Sequence, residues 1–467
     1  MTLEEQLIFL IAKNNELRNI VTKLEKHIAE QDIHISKQDA RISELEELLR
    51  KSNISKDSSN SSKPPSTDIS NPKRNLSLRE KSGKLSGGQP GHKGSTLRMS
   101  DSADEIIELN PNYCNKCGCH LEKEESHFES KRQEFDIPPV QFIVKEYRRN
   151  SKDCPRCGHH QETDFPQGIT NNVQYGPNIK SIVSYLSVYQ YLPFKRLRKC
   201  MKHFFKLDIS EGTIDNILRW MSKKSEPMYE KIKETILQSK QVGSDETSVK
   251  IKGEKNWIWV WQSDLSTYIT VSESRGTKAI ESVFPDGLEK AILNTDRWAA
   301  QLKTKSAGHQ LCISHLLRDL NFIEEVDEID WSKRLKQLLK EGLALKNIQL
   351  EYSKDNPLAM QLEQDLDFLL RENIPKEYYK RTYVFQKSLI KHRDSILTFL
   401  YNKETAPDNN ASERAIRNVK VKQKISGQFK TGQKSFCVLR SVVDTCIKRG
   451  ADVMSAFSYI ANLAPAE

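Results

Sequence analysis

Residues 3–49 carry a repeat of apolar side chains that runs for seven heptads and commits this segment to a long helix. Eleven of the fourteen seam positions are apolar, with β-branched residues frequent at a and leucine frequent at d. The a positions are Leu7, Asn14, Val21, Ile28, Ile35, Ile42 and Leu49, and the d positions are Leu3, Leu10, Leu17, Leu24, Gln31, Gln38 and Leu45. This pattern predicts a parallel coiled coil over residues 1–50 that joins two copies of the chain as a homodimer or within a higher oligomer. The alternative is a single amphipathic helix packed on its own protein.

The next segment, residues 51–97, is rich in Ser, Pro, Gly and basic residues. Residues 51–100 hold ten Lys or Arg against three Asp or Glu, a net charge of +7, and the whole chain carries +10. Because the segment has few large apolar residues, burying them would not offset the entropy lost on ordering the chain. We therefore predict a disordered basic linker that either contacts the phosphates of a nucleic acid or serves as a solvated spacer. The chain has no charge-free apolar run of membrane-span length and no apolar signal-peptide core, which favours a cytoplasmic protein without a membrane partner.

Two C-x-x-C pairs follow, Cys114 with Cys117 and Cys154 with Cys157. In a chain without a secretory signal, such pairs favour a metal over disulfides, and four thiolates make a closed tetrahedral set for structural Zn2+. We predict a zinc-ribbon-like module over residues 98–165, with strands at 135–137 and 141–147 forming a hairpin between the pairs. Nearby side chains that remain alternative ligands are Cys119, His120, His159 and His160.

Residues 166–240 predict helices, with a break at residues 208–210 between two apolar stripes and many Lys and Arg around them. Ser210 suits the N-cap of the second helix. This arrangement resembles a helix-turn-helix, in which Thr213, Asn216 and Arg219 would face a DNA groove. A plain helical hairpin is equally compatible with the sequence.

From about residue 241 the pattern changes to three strands, a helix and a fourth strand, which is the order of an α/β RNase H-like fold. Asp245 lies in the first strand, Asp296 follows the fourth, and Glu413 lies on a later helix. Three converging carboxylates suit a site for two Mg2+ ions that catalyses phosphoryl transfer. The overall class is then multidomain α+β, with a catalytic domain over residues 241–467. Other acids remain rivals for the three positions, namely Glu246, Asp264, Asp286, Asp319 and Asp408.

The stretch Asp408–Arg417 opens this later helix and has two interpretations. Asn410 as N-cap with Glu413 three residues on would form a capping box, and Glu413 with Arg417 would form an ordinary helical ion pair. Alternatively, Glu413 is a metal ligand and the cations after it hold phosphates beside the metals. Those cations, which a solvated helix face would also explain, are Arg414, Arg417, Lys420, Lys422 and Lys424.

Several motifs occur here in the order found in transposases of the insertion sequence 66 family, which the chain resembles over nearly its whole length. These are Asn60–Pro65, Gly87–Gly94, the two cysteine pairs, Ser244–Thr247, Cys312 with His315, and Asp408–Arg417. The resemblance implies that Asp245, Asp296 and Glu413 form the acid triad and that a helical insertion at about 325–400 precedes the last acid. Cys312 and His315 look like the family's C-x-x-H element, for which core packing is favoured over contact with metal or DNA. One departure is Asp296-Arg297-Trp298, where the family has Asp-Gly-Tyr.

By this resemblance the protein is a bacterial DNA transposase, cytoplasmic and bound to the nucleoid when it engages DNA. It would nick transposon ends with Mg2+ and transfer the freed 3′ hydroxyl to target DNA. The helix-turn-helix and zinc module would recognise the ends, and the coiled coil would pair two protomers. Helper proteins from the same element are further candidate partners. The competing functions are a catalytically inactive DNA-binding regulator derived from a transposase and a structure-specific nuclease.

Overall fold

The computed structural model describes residues 3–53, 91, 93, 97–138, 140–349, 351–353 and 355–463. These residues divide into two compact units, one within residues 1–75, 176–191 and 217–467 and the other within residues 76–175 and 192–216. Most of the predicted basic linker, including Asn60–Pro65, lies outside the described residues.

The N-terminal heptads form one uninterrupted helix, α1 (Leu3–Asn53), of 51 residues. Its described seam side chains remain about half exposed, as for Leu17 at 54% and Ile28 at 55% of their surface. Packing of this seam on the protein's own body, the alternative from sequence, is therefore not observed for the described side chains. An open apolar stripe is what a partner helix requires, and the pairing itself stays a prediction.

The region around the cysteine pairs has little regular structure. Strands β1 (Ser151–Asp153) and β2 (His160–Glu162) pair antiparallel on either side of the second C-x-x-C. The predicted strands at 135–137 and 141–147 are wrong, because those residues form no strand and expose Ile137, Ile143 and Val144. Strand propensity alone does not hold a segment in a sheet without a partner or a buried face.

Four helices follow, with the break where the sequence predicts it. They are α2 (Pro177–Ser184), which continues into a π-helical turn, α3 (Phe194–Phe205), α4 (Glu211–Lys224) and α5 (Glu226–Gln238). Lys206 ends α3 in the left-handed conformation with φ 55°. Ser210 Oγ accepts a hydrogen bond from the Thr213 N–H at 3.0 Å, so Ser210 caps α4 as expected.

One five-stranded sheet follows, in the spatial order β5-β4-β3-β6-β7. The first three strands pair antiparallel, and β6 and β7 are added parallel to β3. Short helices α6 (Thr277–Glu281) and α7 (Ala299–Leu302) flank β6. The strands are β3 (Gln241–Ile251), β4 (Glu254–Gln262), β5 (Thr267–Ser272), β6 (Leu288–Thr295) and β7 (Ser306–Leu311). The aromatic run predicted as a strand is β4, whose buried residues 258–262 show that both of its faces are covered.

The segment between β7 and the last acid is helical, as the sequence predicts. It contains α8 (Ile313–Asp327), α9 (Asp330–Ile348), α10 (Pro357–Arg371) and α11 (Lys380–Lys391). These helices share an apolar core with Trp331, whose indole N–H donates to the Leu369 carbonyl at 2.8 Å. This inserted helical segment therefore has its own apolar core, which stabilises its helices against one another.

Three helices complete the described chain: α12 (Asn410–Ser426), α13 (Gln433–Lys448) and α14 (Val453–Asn462). Helix α13 covers the edge strand β5, whose Ile269 and Thr267 N–H groups donate to Ser441 Oγ at 2.9 Å and Thr445 Oγ1 at 3.1 Å. Two hydroxyls therefore satisfy backbone donors that an edge strand would otherwise expose. Among the described residues, no helix combines the length and apolarity that crossing a membrane requires.

Candidate active site

The sheet topology brings Asp245 and Asp296 to the same place. Gly243 on β3 is in register with Asn294 on the parallel strand β6; Asp245 lies two residues further along β3, and Asp296 lies just past the end of β6. The carboxyl end of β6 therefore lies beside the middle of β3, and ligand sites commonly lie at the carboxyl ends of parallel strands. Strand pairing, rather than any local motif, is therefore what makes these two distant acids neighbours.

Asp245 lies in an environment that opposes its negative charge. Burial raises the pKa of its carboxyl well above the ordinary value, and the nearby carboxylates of Asp296 and Glu246 raise it further. One compensating contact is the Glu246 N–H, which donates to Asp245 Oδ1 at 2.8 Å. Buried carboxylates that repel each other are relieved by a bound cation, so the electrostatics of this site fit a metal centre.

Helix α8 connects the second acid with the third. His315 Nδ1 lies 2.9 Å from Asp296 Oδ1 and 3.7 Å from Glu413 Oε1. Arg318, one turn further along, places Nη2 3.4 Å from the same Glu413 oxygen. The structure thus gathers Asp245, Asp296 and Glu413 into one cluster, with His315 between the last two.

The protonation of His315 follows from its two neighbours. Burial lowers the pKa of the ring, whereas the Asp296 carboxylate and the Cys312 side chain together raise it, to about 11 overall. A second ring proton would, however, face Arg318, whose guanidinium Nη1 lies 3.2 Å from Nε2 and can only donate. A neutral ring that carries its proton on Nδ1 avoids this conflict with Arg318 and leaves Nε2 to accept from the guanidinium.

Asn409 ties together the backbone segments that carry the acids. Its side-chain N–H donates to the Ser244 carbonyl at 2.7 Å, and its backbone N–H donates to Cys312 Sγ at 3.2 Å. Its own carbonyl accepts the Glu413 N–H at 3.2 Å. Asn409 is 1% exposed, so these bonds are shielded from water. One buried asparagine, through its side-chain amide and its backbone, therefore fixes the strand before Asp245, the turn before His315 and the helix of Glu413.

This arrangement corrects the capping-box interpretation of the Asp408–Arg417 stretch. The N-cap of α12 is Asn409 rather than Asn410, and its side chain bonds Ser244 instead of the helix. Asp408 Oδ1 accepts the Asn410 N–H at 3.1 Å in its place. The Glu413 carboxylate is free of a capping role and faces Arg318 and His315.

The five cations predicted to follow Glu413 have different surroundings. Arg414, Arg417 and Lys424 are exposed. Lys420 is half-buried and donates to the Ser248 carbonyl at 3.2 Å; burial lowers its pKa and Asp245 raises it, so it lies near the acids. Lys422 departs from the prediction, because burial lowers its pKa to about 8 and its side chain is not on the exposed face.

The rival acids have other roles or lie on the surface. Glu246 is ion-paired with Arg275 at 2.8 Å and accepts a hydrogen bond from Gln301 at 2.9 Å. Asp319 pairs with Arg297, the residue that replaces the family's glycine. Asp264 and Asp286 are exposed. Sequence reasoning missed Arg318 and Asn409, although the spacing of Arg318 from His315 by one helical turn was an available signal.

The cysteine pairs form two knuckles with the same backbone hydrogen bonds. In each, the glycine after the second cysteine donates to the first cysteine's carbonyl at 2.8 Å, as Gly118 does to Cys114 and Gly158 to Cys154. Backbone N–H groups of Lys116 and Cys117 lower the pKa of Cys114, and those of Arg156 and Cys157 act alike on Cys154. Each knuckle is therefore suited to hold a thiolate and fits zinc. Among the described residues, the four sulfurs are not gathered within 4.8 Å of one another.

The predicted DNA-facing side chains of α4 differ in exposure. Asn216 and Arg219 are exposed, whereas Thr213 is partly buried at the start of the helix. The Thr213 hydroxyl lies 2.9 Å from Ser210 Oγ. Asn216 and Arg219 are thus the accessible members of this set.

Comparisons with known proteins identify the family. Residues 172–435, more than half of the chain, match a family described as Transposase IS66 family. Residues 111–158, which contain both cysteine pairs, match the zinc-finger binding domain of transposase IS66, and residues 4–98 match a family of unknown function. No curated protein matches the chain. These matches place the chain in the IS66 family of transposases, which act on DNA, with a zinc-binding module.

Proposed function

We propose that this transposase performs Mg2+-dependent DNA cleavage at transposon ends and strand transfer at a triad of Asp245, Asp296 and Glu413. The observation that carries the proposal is the gathering of three distant acids around His315 in a site where burial opposes the charge of Asp245. Three antiparallel strands extended by two parallel ones, with acids on β3 and after β6, support an RNase H-like catalytic domain.

In this proposal the three carboxylates hold the two ions. Bound Mg2+ supplies Lewis-acid stabilisation of the charge that develops on the phosphate. Arg318 and Lys420 lie beside the acids with their cationic groups partly buried, where they stabilise a phosphate more strongly than exposed cations would. The buried walls around Asp245 keep water from competing for these contacts.

The wider DNA contacts are part of the same proposal. Asn216, Arg219 and Thr213 on α4 would contact the transposon end, and Arg414, Arg417 and Lys424 would follow the phosphate backbone from the exposed face of α12. Lys422 is left out because of its burial. The open seam of α1 would pair two protomers so that two ends are held together, with helper proteins from the same element as further partners.

The deciding experiment is cleavage and joining of DNA that carries the element's own ends, with Mg2+ and at matched DNA binding. We expect Glu413→Gln and Asp296→Asn each to abolish both products while DNA binding persists, because each removes a metal-binding carboxylate. The control is Asp264→Asn, the same change in an exposed loop, which should stay active.

The competing functions give different results in this assay. A wild-type protein that binds these ends and never cuts them would be a regulator. Cleavage without joining would instead make the protein a structure-specific nuclease. Activity retained in Asp296→Asn alone would show that the second acid is wrongly assigned.

The zinc module gives an independent prediction. We expect Cys154→Ser to lower the zinc content of the purified protein by one ion per chain. The change leaves only three of the four thiolates, and a module this small needs the bound ion to fold. Cys119→Ser, at an exposed thiol beside the first knuckle, is the matched control and should keep its zinc. Metal analysis by atomic absorption checks this, and zinc loss in the control alone would reassign the ligands.

A further inference from the structure

A second set of metal-binding atoms lies at the edge of the acid cluster. Asp296, Cys312 and His315 each offer a ligand atom, and the three atoms lie within 4.8 Å of one another. Within the part of the chain that the structure describes, it is the one group of three or more His, Cys, Asp or Glu side chains with this spacing. The set mixes one oxygen, one sulfur and one nitrogen.

Two of these atoms are buried without a hydrogen-bond partner. Asp296 Oδ1 and His315 Nδ1 are both shielded from solvent, and their 2.9 Å approach does not have hydrogen-bond geometry. Unpartnered polar atoms in the interior are costly unless a ligand satisfies them. Their 2.9 Å separation is within about half an ångström of the roughly 3.3 Å that separates two ligand atoms of one tetrahedral ion with bonds of about 2 Å, so a small outward movement would admit an ion.

The third donor, Cys312, is prepared for a thiolate. Its side chain is 1% exposed, and Sγ accepts the Asn409 backbone N–H at 3.2 Å. Amide donors to sulfur stabilise the negative charge of a metal-bound thiolate and orient it. The hydrogen bond from Asn409 therefore orients the Cys312 sulfur, which packing alone would not do.

We infer that Asp296, Cys312 and His315 form a binding site for a thiophilic divalent ion such as Zn2+ or Co2+, separate from the cysteine pairs. Sulfur and imidazole ligands select such ions over Mg2+, which prefers oxygen. Glu413 Oε1, 3.7 Å from His315 Nδ1, is the nearest further donor. Both side chains are buried, as the sequence-based preference for core packing expects, and the proposal adds metal binding to that role.

Because Asp296 belongs to both sites, the two kinds of ion compete. A thiophilic ion bound to Asp296 withdraws that carboxylate from the Mg2+ centre, so its binding inhibits DNA cleavage. This regulatory consequence rests on the proposed function, whereas the metal binding itself does not.

Arg318 opposes occupation of the site in the metal-free protein. Its guanidinium donates to His315 Nε2 and so holds the ring proton on Nδ1, the nitrogen that must bind the ion. On binding, the imidazole proton moves from Nδ1 to Nε2, the Cys312 thiol releases its proton to solvent, and Arg318 turns towards Glu413, which it already approaches at 3.4 Å. Arg318→Gln removes this opposition, because a glutamine oxygen can accept the new Nε2 proton.

The test is a Co2+ titration of the full-length protein in Mg2+-free buffer, after one equivalent of Zn2+ per chain has filled the four-thiolate site of the cysteine pairs, the tighter of the two sites. We expect the near-ultraviolet sulfur-to-cobalt band and tetrahedral visible bands to grow by one ion per chain. Cys312→Ser should lose the sulfur band, Asp296→Asn should weaken binding about 100-fold or more, and Arg318→Gln should tighten it about tenfold. Cys446→Ser, the same change at a distant thiol, should match wild type.

Absence of a sulfur-to-cobalt band, or an unchanged band in Cys312→Ser, would overturn the inference. Loss of the band in Cys312→Ser could also come from a failure of that variant to fold. Asp296→Asn keeps the thiol, so weaker Co2+ binding in this second variant tests the site independently. A second experiment tests the predicted inhibition by comparing DNA cleavage with and without added Zn2+ for each protein. A protein that binds Co2+ as expected and never cleaves DNA would refute the proposed function and leave this site standing.

Discussion

Replacing Asp245 with Asn is expected to reduce Mg2+-dependent DNA cleavage about 1,000-fold and, at the same time, to make the metal-free protein more stable. Activity falls because an amide is a weak Mg2+ ligand, and losing several kcal/mol of charge stabilisation costs about three powers of ten in rate. Stability rises because burial and the nearby Asp296 oppose the Asp245 charge, and asparagine keeps the acceptor for the Glu246 N–H.

The pH dependence of this effect has a definite sign. The folded-state pKa of Asp245 is raised, so its ionisation destabilises the fold as pH increases above the ordinary value near 3.8. Wild type and Asp245→Asn should therefore unfold alike at lower pH and diverge towards neutrality. Thermal unfolding in Mg2+-free buffer, alongside the cleavage assay, measures both effects.

A matched control is Glu246→Gln on the next residue. Burial also raises the pKa of Glu246, but the Arg275 guanidinium offsets part of that effect, so this replacement should raise stability less than Asp245→Asn does. An Asp245→Asn protein that is inactive and also less stable at neutral pH would argue that Asp245 supports the fold and does not bind metal.

Replacing Gly243 with Ala is expected to be the most damaging change of a single methyl group in the sheet. A Cβ at this position would lie 2.5 Å from Ser412 Oγ, 2.6 Å from Gln262 Nε2 and 2.7 Å from Asn409 Oδ1. None of these atoms can easily move, since all three residues are buried and Asn409 is held by Ser244. We expect a loss of about 1–3 kcal/mol in the free energy of unfolding.

The same clash should impair catalysis beyond its effect on stability. It falls between β3, which carries Asp245, and the start of α12, which carries Glu413. A shift of about 1 Å between two metal ligands can cost about 100-fold in rate. The measurement is urea unfolding together with DNA cleavage at a temperature where the variant remains folded.

Gly308→Ala is the control for this prediction. Gly308 also lies in a strand of this sheet, yet its nearest neighbour would be Ile292 Cγ1 at 3.8 Å, which is ordinary contact. Equal effects of the two substitutions would show that general loss of glycine, and not the contact with α12, is responsible.

Local patterns were sufficient for the secondary structure of most of the described chain. The apolar periodicities predicted α1, the break between α3 and α4, and the strands that carry Asp245 and precede Asp296. They failed at residues 135–147, where β-prone side chains are exposed, because strand formation depends on a partner that a local pattern does not contain. The basic linker, the coiled-coil pairing and the DNA contacts stay predictions.

Residue types and spacings by themselves determined the family resemblance, the knuckles at the cysteine pairs and the acids of the proposed triad. Tertiary structure alone decided that Asn409 bonds Ser244 and Cys312, that Arg318 joins Glu413, and that Cys312 and His315 lie beside Asp296. The physical reason is the distance along the chain over which each kind of interaction acts. Helical and strand periods act over a few residues, whereas the site is made by parallel strand pairing and by a buried amide that contacts residues far apart in the chain.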